Sequence, residues 1–481
     1  MATEELFKAK LIPISKILEV REDRLNEIID NVYEVGGWVR TCRIQSKLSF
    51  IHINDGSCFG NLQIIPTDAV DTTKCKTGCY IVVKGKLVKS PARGQLVEII
   101  AETLSVTGGV RDTDFPFTKK KFGLPYIRLH PQFKARTNFS NSIMRVRSSL
   151  IMAIHQFYQD RGFYNMHTPL ITTSDCEGGG EAFTITNIMK KKISDIPAVK
   201  VDGVEYTDFS KDIFEEQTHL TVSGQLHVEA FAMGLGKVYT FGPAFRAEGS
   251  RSYKHVSELW MIEPELVDVD LIQLMNLAED SIKYCIKYIL ERYPDEMKYF
   301  SSKYMYSGKQ EQLEKILIEP FERVSYDEAI IMIHNDEKSG TKFEKHIEYG
   351  EDLNAEHEKH LVSKFDRPVF IHTYPKGIKA FYMKRSTDIN KVDCFDLLTP
   401  DVGELIGGSM RESDYDILME KMEEMGIDPK PLEFYTDLRK YGCPEHGGFG
   451  IGLERLVMFI TGAKHIKDVL PFPRCSGHIM A

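Results

Sequence analysis

The stretch that most constrains the fold is Val238–Glu265, VYTFGPAFRAEGSRSYKHVSELWMIEPE. Val238–Glu248 is rich in β-branched and aromatic residues, and Glu258–Glu265 alternates bulky apolar side chains with others, so both read as strands. The intervening GSRSYKH is too polar to bury, and the three pieces together read as a hairpin. Arg246 and Glu248 fall on the first strand, and Arg251, Lys254 and His255 fall in the loop. Cations at this spacing suit a polyanion such as a triphosphate, with a planar base against the return strand. A surface hairpin with solvated charges would show the same spacing.

The length of 481 residues predicts two or three domains. Residues 1–32 form a mixed-charge lead-in, with helical character around Ser15–Ile29. Residues 33–110 read as all-β. Five strand-like runs (EVGGWVRTCRI, LSFIHINDGS, GNLQIIPT, GCYIVVKGKLVKS and QLVEIIAETLSV) are separated by Gly, Asp-Gly and Pro, which fits an OB-fold barrel. The formal net charge of −9 argues against nucleic acid for the chain as a whole, yet Gly36–Val110 holds nine Lys/Arg against five Asp/Glu. That segment places Phe50 mid-strand beside Arg40 and Arg43, with Gln63 and Glu98 on later strands. Such a barrel face presents aromatic and polar groups to single-stranded nucleic acid, although Phe50 would serve equally as core. Residues 111–136 form a linker dense in charge, Pro and aromatics.

Residues 137–481 read as one larger domain of mixed elements. Ile143, Val146, Leu150, Ile151, Ile154 and Phe157 recur at helical spacing, and GFYNMHTPLITT then reads as a strand. Ser174–Phe183 carries a Gly triplet between Glu177 and Glu181, which permits a mobile loop close to a ligand. An insert near 189–214 is polar and Lys-rich, and a helical region covers about 271–350. Thr373–Arg385 reads as strand–turn–strand. Asp393–Glu412 brings Asp396 and Glu404 around a turn, followed by Gly407–Gly408 and Arg411; two carboxylates near a triphosphate suit Mg²⁺. Gly447–Gly462 is a Gly-rich strand running into an apolar helix that carries Arg455.

The nine cysteines show no CxxC pair, so the sequence predicts free thiols rather than a zinc site. MATEELFKAK lacks the apolar core of a signal peptide and no apolar run approaches a membrane span, so the chain reads as cytoplasmic.

FRAE, the basic loop and ELWMIEPE together resemble motif 2 of the class II aminoacyl-tRNA synthetases, and GP with MIEPE resembles their asparaginyl branch. The helix and strand over 138–172 resemble motif 1, GGFGIGLERL resembles motif 3, and DVLPFPR closes the set in the family's order. The resemblance implies a multidomain fold: an OB-fold anticodon-binding barrel followed by an α+β catalytic domain, an antiparallel sheet flanked by helices. It implies ATP-dependent attachment of L-asparagine to tRNA(Asn) through asparaginyl-adenylate, with Mg²⁺ on Asp396 and Glu404 and a homodimer through 138–172. Arg246 and Arg455 are the implied catalytic residues. Arg246, Glu248, Arg251, Lys254, His255, Leu259, Glu404 and Arg455 would bind ATP. Leu259 stands where relatives carry an adenine-stacking aromatic, with Trp260 beside it, so the strand register decides which faces the base.

Glu177, Ser223, Gln225, Glu229 and Arg411 would bind the amino acid. Aspartyl relatives carry SPQ and a Lys where this chain has SGQLHVE, and an amide needs an acceptor for its NH₂ as well as a donor for its oxygen. Glu229 supplies the first in this reading and Arg411 the second. In the barrel, Phe50 would stack on the central anticodon base, with Gln63, Glu98 and Arg40 around it. An aspartate–tRNA ligase, a non-catalytic RNA-binding paralogue and a tRNA-independent asparagine synthetase remain the rival readings. No membrane or DNA partner is expected.

Overall fold

Five short runs of alternating apolar residues in the N-terminal part close into a barrel. In the computed structural model, residues 11–477 and 479 are described, apart from 46–47, 93, 112–114, 118–121, 174–181, 191, 250–251 and 303–304. The chain forms two compact units, Met1–Met144 and Arg145–Ala481.

In the first unit, β1 (Val32–Gln45), β2 (Leu48–Asn54), β3 (Leu62–Pro66), β4 (Tyr80–Lys89) and β5 (Val97–Gly108) close in the order β1-β2-β3-β5-β4. β3 and β5 run parallel and the other neighbours antiparallel. Period-2 alternation turns Ile51, Ile53, Ile64, Ile81, Val83 and Ile99 inward, all fully buried. The lead-in is only partly helical: Ser15–Leu18 is one short helix and Glu22–Glu27 a 3₁₀ turn. Ile14, Ile17 and Leu25 join the barrel core, which gives this segment the packing role its sequence did not advertise.

The described part of 111–136 is packed rather than a solvated connector. Arg136 lies 3.6 Å over the Trp38 ring, Phe122 stacks on Tyr126 at 5.0 Å, and Phe115 meets Phe133 edge-on.

The second unit is built on an eight-stranded sheet. Its strands are β6 (Tyr164–Met166), β12 (Lys237–Phe245), β13 (Glu258–Val267), β14 (Glu322–Ser325), β15 (Val369–Pro375), β16 (Lys391–Thr399), β17 (Gly403–Met410) and β18 (His446–Gly452), ordered β14-β15-β16-β17-β18-β13-β12-β6. The six central strands are antiparallel as the family resemblance implies, but both edge pairs, β14/β15 and β12/β6, are parallel. Each parallel pair is reached through a crossover rather than a hairpin, which local periodicity does not reveal. β7 (Ile171–Thr172), β8 (Thr184–Ile185) and β11 (Thr218–Leu220) form a small sheet, and β9 (Ala198–Val201) with β10 (Val204–Thr207) a separate hairpin inside the predicted insert.

Helix Leu271–Arg292 starts at a capping box between Asp270 and Gln273. Helix Leu453–Thr461 follows β18 directly and is buried except at Arg455. Thr373–Arg385 is not the predicted strand–turn–strand: after β15 comes a 3₁₀ turn, Lys376–Ile378, and Met383 makes only an isolated bridge to Arg411. Among the described residues, no helix is long and apolar enough to cross a membrane.

Candidate active site

The hairpin register settles which residues face the ligand. β12 and β13 pair Ala244 with Leu259 and Pro243 with Trp260. Leu259, Met261, Glu263 and Glu265 therefore point to one side, where they line a cavity of about 430 Å³. Trp260 turns to the other side and packs edge-on against Phe241 at 5.9 Å. The same cavity collects Ser223, Gln225, Arg246, Glu248, Lys254, His255, Asp396, Glu404, Arg411 and Arg455. These residues come from helices, strands and loops over a sequence span of more than 200 residues, so their convergence is a property of the fold. Arg251 and Glu177 lie outside the described residues.

One end of the cavity is dry. Glu263 is buried, with Ser223 Oγ donating to Oε1 and the Gly224 N–H donating to Oε2 at 3.0 Å. Burial pushes its carboxyl up, against the pull of Ser223 and Gly224. Arg411 donates to Glu265 through Nε at 3.2 Å and Nη2 at 2.5 Å, and through Nη1 to Ser409 Oγ at 2.7 Å. Glycine is required opposite this pair, because a Cβ at Gly448 would lie 2.3 Å from the Glu265 carboxylate. Gln225 lines the cavity, and its buried Nε2 has no hydrogen-bond partner, so a donor is left for a ligand.

Glu229 is placed differently from the expectation. It is fully buried and does not line the cavity, because helix Gln225–Leu235 turns it beneath the wall. There it accepts from Arg439 Nη2, from His446 Nε2 at 2.8 Å and from Tyr435 Oη at 3.0 Å, while Arg411 Nε lies 4.0 Å away. Burial would raise its pKa, but Arg439 and His446 hold it well below the usual carboxylate range. Burial would likewise lower the pKa of His446, yet bonds to Cys443 and Glu229 raise it to about 9. Glu229 thus lies behind Arg411, and Arg439, His446 and Glu263 are neighbours that the sequence reading did not name as site residues.

The other end is basic and wetter. Arg455 Nη1 donates to the Glu404 carbonyl at 2.7 Å and lies 3.3 Å from its carboxylate. Lys254 and Glu358 both reach Gly403: a Cβ there would lie 3.0 Å from Lys254 Nζ and 2.6 Å from Glu358 Oε2. Burial, with Glu404 nearby, pushes Glu358 up to about 7. His255 Nε2 stands 3.7 Å from Glu248, and its Nδ1 meets Ser252 Oγ at 2.6 Å. Asp396 is not the bare carboxylate expected of a metal ligand, because Lys379 Nζ donates to its Oδ2 at 2.6 Å. Its Oδ1 still faces Glu404: a Cβ at Gly407 would lie 3.6 Å from Asp396 Oδ1 and 3.3 Å from Glu404 Oε1. Two hard oxygens turned to one spot fit a hard divalent cation. Lys379 was not anticipated as a cavity residue, nor Glu358 as a neighbour of Lys254.

The barrel carries a separate polar face. Gln63 pairs with His52 on one side and Glu98 on the other, and its Nε2 donates to Glu98 Oε2 at 2.9 Å. Ser90 Oγ and Gln95 Nε2 also donate to Glu98, and Thr41 Oγ1 meets His52 Nδ1 at 2.9 Å. Phe50 lies two residues before His52 on the same face and pairs with Arg43. Arg40 departs from the expected position. It falls at the bulge between Val39 and Thr41 and donates to Asn54 Oδ1 at 3.3 Å, which leaves Arg43 as the arginine opposite Phe50.

Residues 128–476 match the class II tRNA synthetases (D, K and N), and residues 33–107 match the OB-fold nucleic acid binding domain. The asparagine–tRNA ligase of Clostridium tetani is 42% identical over 97% of this chain and 99% of its own length. That of Alkaliphilus oremlandii is 44% identical over 92% of this chain and 94% of its own. Among solved structures, the asparaginyl-tRNA synthetase of Pyrococcus horikoshii complexed with asparaginyl-adenylate matches with a TM-score of 0.81 and 32% identity, covering 95% of this chain and 97% of that one. The asparaginyl-tRNA synthetase of Entamoeba histolytica in complex with asparaginyl-adenylate matches with a TM-score of 0.77 and 26% identity, covering 92% and 95%. Sheet, cavity and barrel agree with these likenesses, and the chain belongs to the class II tRNA synthetases of the D, K and N group.

Proposed function

We propose that this protein attaches L-asparagine to tRNA(Asn) in two ATP-dependent steps. The observation that carries the choice of asparagine is the charge balance at the dry end. Arg411, Arg439 and His446 stand against Glu229, Glu263 and Glu265. Each of these cations is already bonded to a glutamate before any substrate enters, so a neutral amide fits at less cost than a further carboxylate. Arg411 supplies the donor for the amide oxygen, and Glu263 and Ser223, rather than Glu229, supply acceptors beside it.

In the first step a carboxylate oxygen of asparagine attacks the α-phosphorus of ATP, and the bond to the pyrophosphate oxygen breaks. Arg246 neutralises charge at the α-phosphate, Arg455 with Lys254 and His255 grips the outer phosphates, and Leu259 packs on the base. Asp396 Oδ1 and Glu404 would hold Mg²⁺, which supplies charge neutralisation on the phosphates when bound. Catalysis here is positioning and electrostatics. In the second step the 3′-terminal ribose hydroxyl attacks the acyl carbon, its proton passes to a phosphate oxygen, and AMP leaves. Phe50, Gln63, Glu98 and Arg43 read the anticodon.

The exposed apolar residues Met152, Tyr164, Leu170 and Ile171 support a homodimer through 138–172. The free thiols of the described cysteines support a reducing, cytoplasmic setting.

Amino-acid-dependent ATP–pyrophosphate exchange tests the reading, with asparagine and aspartate in parallel. Exchange with asparagine alone is expected. Exchange with aspartate would overturn the substrate, and none with either from folded protein would overturn the chemistry.

A further inference from the structure

We infer that His334, Glu337 and His346 form a site for one divalent transition-metal ion of the zinc class, outside the nucleotide cavity. One ligand atom from each of the three lies within 4.8 Å of the others. His334 and Glu337 are three apart on helix Tyr326–Lys338 and so share a face. His346 comes from the irregular connector that follows, between that helix and helix Ala355–Phe365.

The hydrogen bonds around His334 are those of a metal ligand, and those of His346 hold its ring against Glu337. His334 Nε2 lies 2.8 Å from the Ile347 carbonyl. A carbonyl only accepts, so Nε2 carries the hydrogen and Nδ1 keeps its lone pair. Among the described residues, no hydrogen bond or ion pair uses that Nδ1. His346 Nε2 faces Glu348 at 3.4 Å, and its Nδ1 lies 2.9 and 3.0 Å from the two Glu337 oxygens. His334 therefore gives its outer nitrogen to an oxygen acceptor and keeps Nδ1 free, whereas His346 Nδ1 donates to Glu337, and a bound metal ion would take the place of that hydrogen. An outer acceptor that fixes ring orientation and raises basicity is the usual support of a metal-bound imidazole.

Two imidazoles and one carboxylate are a three-ligand set that suits zinc with a water in fourth place. The rings now stack at 5.2 Å with 16° between their planes. Zinc–ligand bonds of about 2 Å require the ligand atoms to draw together by roughly 1 Å. The exposed His346 ring, on its connector, is free to make that turn. Binding would pin the connector to the helix. The connector leads into helix Ala355–Phe365, which carries Glu358 to Gly403, beside Lys254.

The test is zinc binding by the full chain, stripped with EDTA and titrated with zinc chloride against a chromophoric chelator. The parent is expected to hold one more zinc per chain than Glu337→Gln and His346→Gln, or to hold it at least about tenfold more tightly. Zinc taken by cysteines or by the nucleotide cavity is common to parent and variants and drops out of the difference. Far-UV circular dichroism and unchanged pyrophosphate exchange would establish that the variants fold. Equal stoichiometry and affinity in parent and variants, or no zinc held by the parent at micromolar concentration, would overturn the site.

Discussion

At the amino-acid end of the cavity, Arg411, Glu265, Glu229, Arg439 and His446 are buried and bonded to one another. At the phosphate end, Arg455 and Glu404 keep 27% and 43% of their side chains exposed and meet at 3.3 Å. The first arrangement has already paid the desolvation of its charges during folding, and each group depends on the next. The second leaves its charges partly solvated, where mutual attraction is weak and an arriving triphosphate is the better partner. Selectivity is therefore tied to stability, whereas rate is not. A substitution at the dry end should cost folding energy, and one at the wet end should cost turnover alone.

The largest effect is expected from Glu229→Ala, which strands Arg439, His446 and Tyr435 without their shared acceptor. Loss of one partner from a buried ion network costs about 3–5 kcal/mol. Denaturant unfolding should show that loss, with a raised KM for asparagine. A variant within about 0.5 kcal/mol of the parent would break the comparison, because the network would then not be part of the folding energy.

Arg455→Ala probes the opposite end. Removing one donor to developing charge should lower kcat for pyrophosphate exchange by roughly 10²–10³-fold. Stability should stay within about 0.5 kcal/mol, as for other partly exposed positions. A large fall in Tm without a matching fall in kcat would erase the distinction between the two ends.

The dry end should also carry a pH dependence above neutrality. His446 titrates near 9 in the folded chain, against an unfolded value of about 6.5. A raised folded pKa means that its contribution is complete below the unfolded value and is lost as pH rises through the folded one. The protein should therefore lose on the order of 3 kcal/mol between about pH 6.5 and pH 9.5, and His446→Gln should flatten that slope. An unchanged slope in the variant would place the titrating group elsewhere.

Residues with local signatures were legible, and residues with distant partners were not. The barrel strands and the β12–β13 hairpin announce themselves through period-2 alternation, which needs no knowledge of the partner strand. Gly407 marked the open floor beside Glu404, whereas Gly408 makes room for Phe395 and Phe449 on the packed side of the strand. By contrast, Lys379 meets Asp396 from 17 residues away inside a stretch that reads as plain sheet. Arg439 and His446 reach Glu229 across 210 and 217 residues. Glu229 was singled out for a direct contact, and the structure places it behind the cavity wall instead. The helical phase beneath β12 and β13, which directs it into the wall, becomes visible only once the sheet is assembled. The parallel edges β6 and β14 were hidden for the same reason.

Phe50→Ala gives the smallest effect and separates both ends of the cavity from the barrel. Phe50 lies on the outer face of β2, opposite Arg43 and two residues from His52, and so away from the inward set of Ile51 and Ile53. Its ring contributes little to the barrel core. One base stacked on an aromatic is worth about 1–3 kcal/mol, so tRNA affinity should fall by roughly 5- to 150-fold. The exchange reaction uses no tRNA, and its rate and asparagine KM should match the parent. If exchange fell together with tRNA binding, Phe50 would be acting on the fold of the barrel rather than on a base. If neither changed, the row from Thr41 through His52 and Gln63 to Glu98 would have to hold the anticodon by hydrogen bonds alone, and Glu98→Ala would become the substitution that weakens tRNA binding.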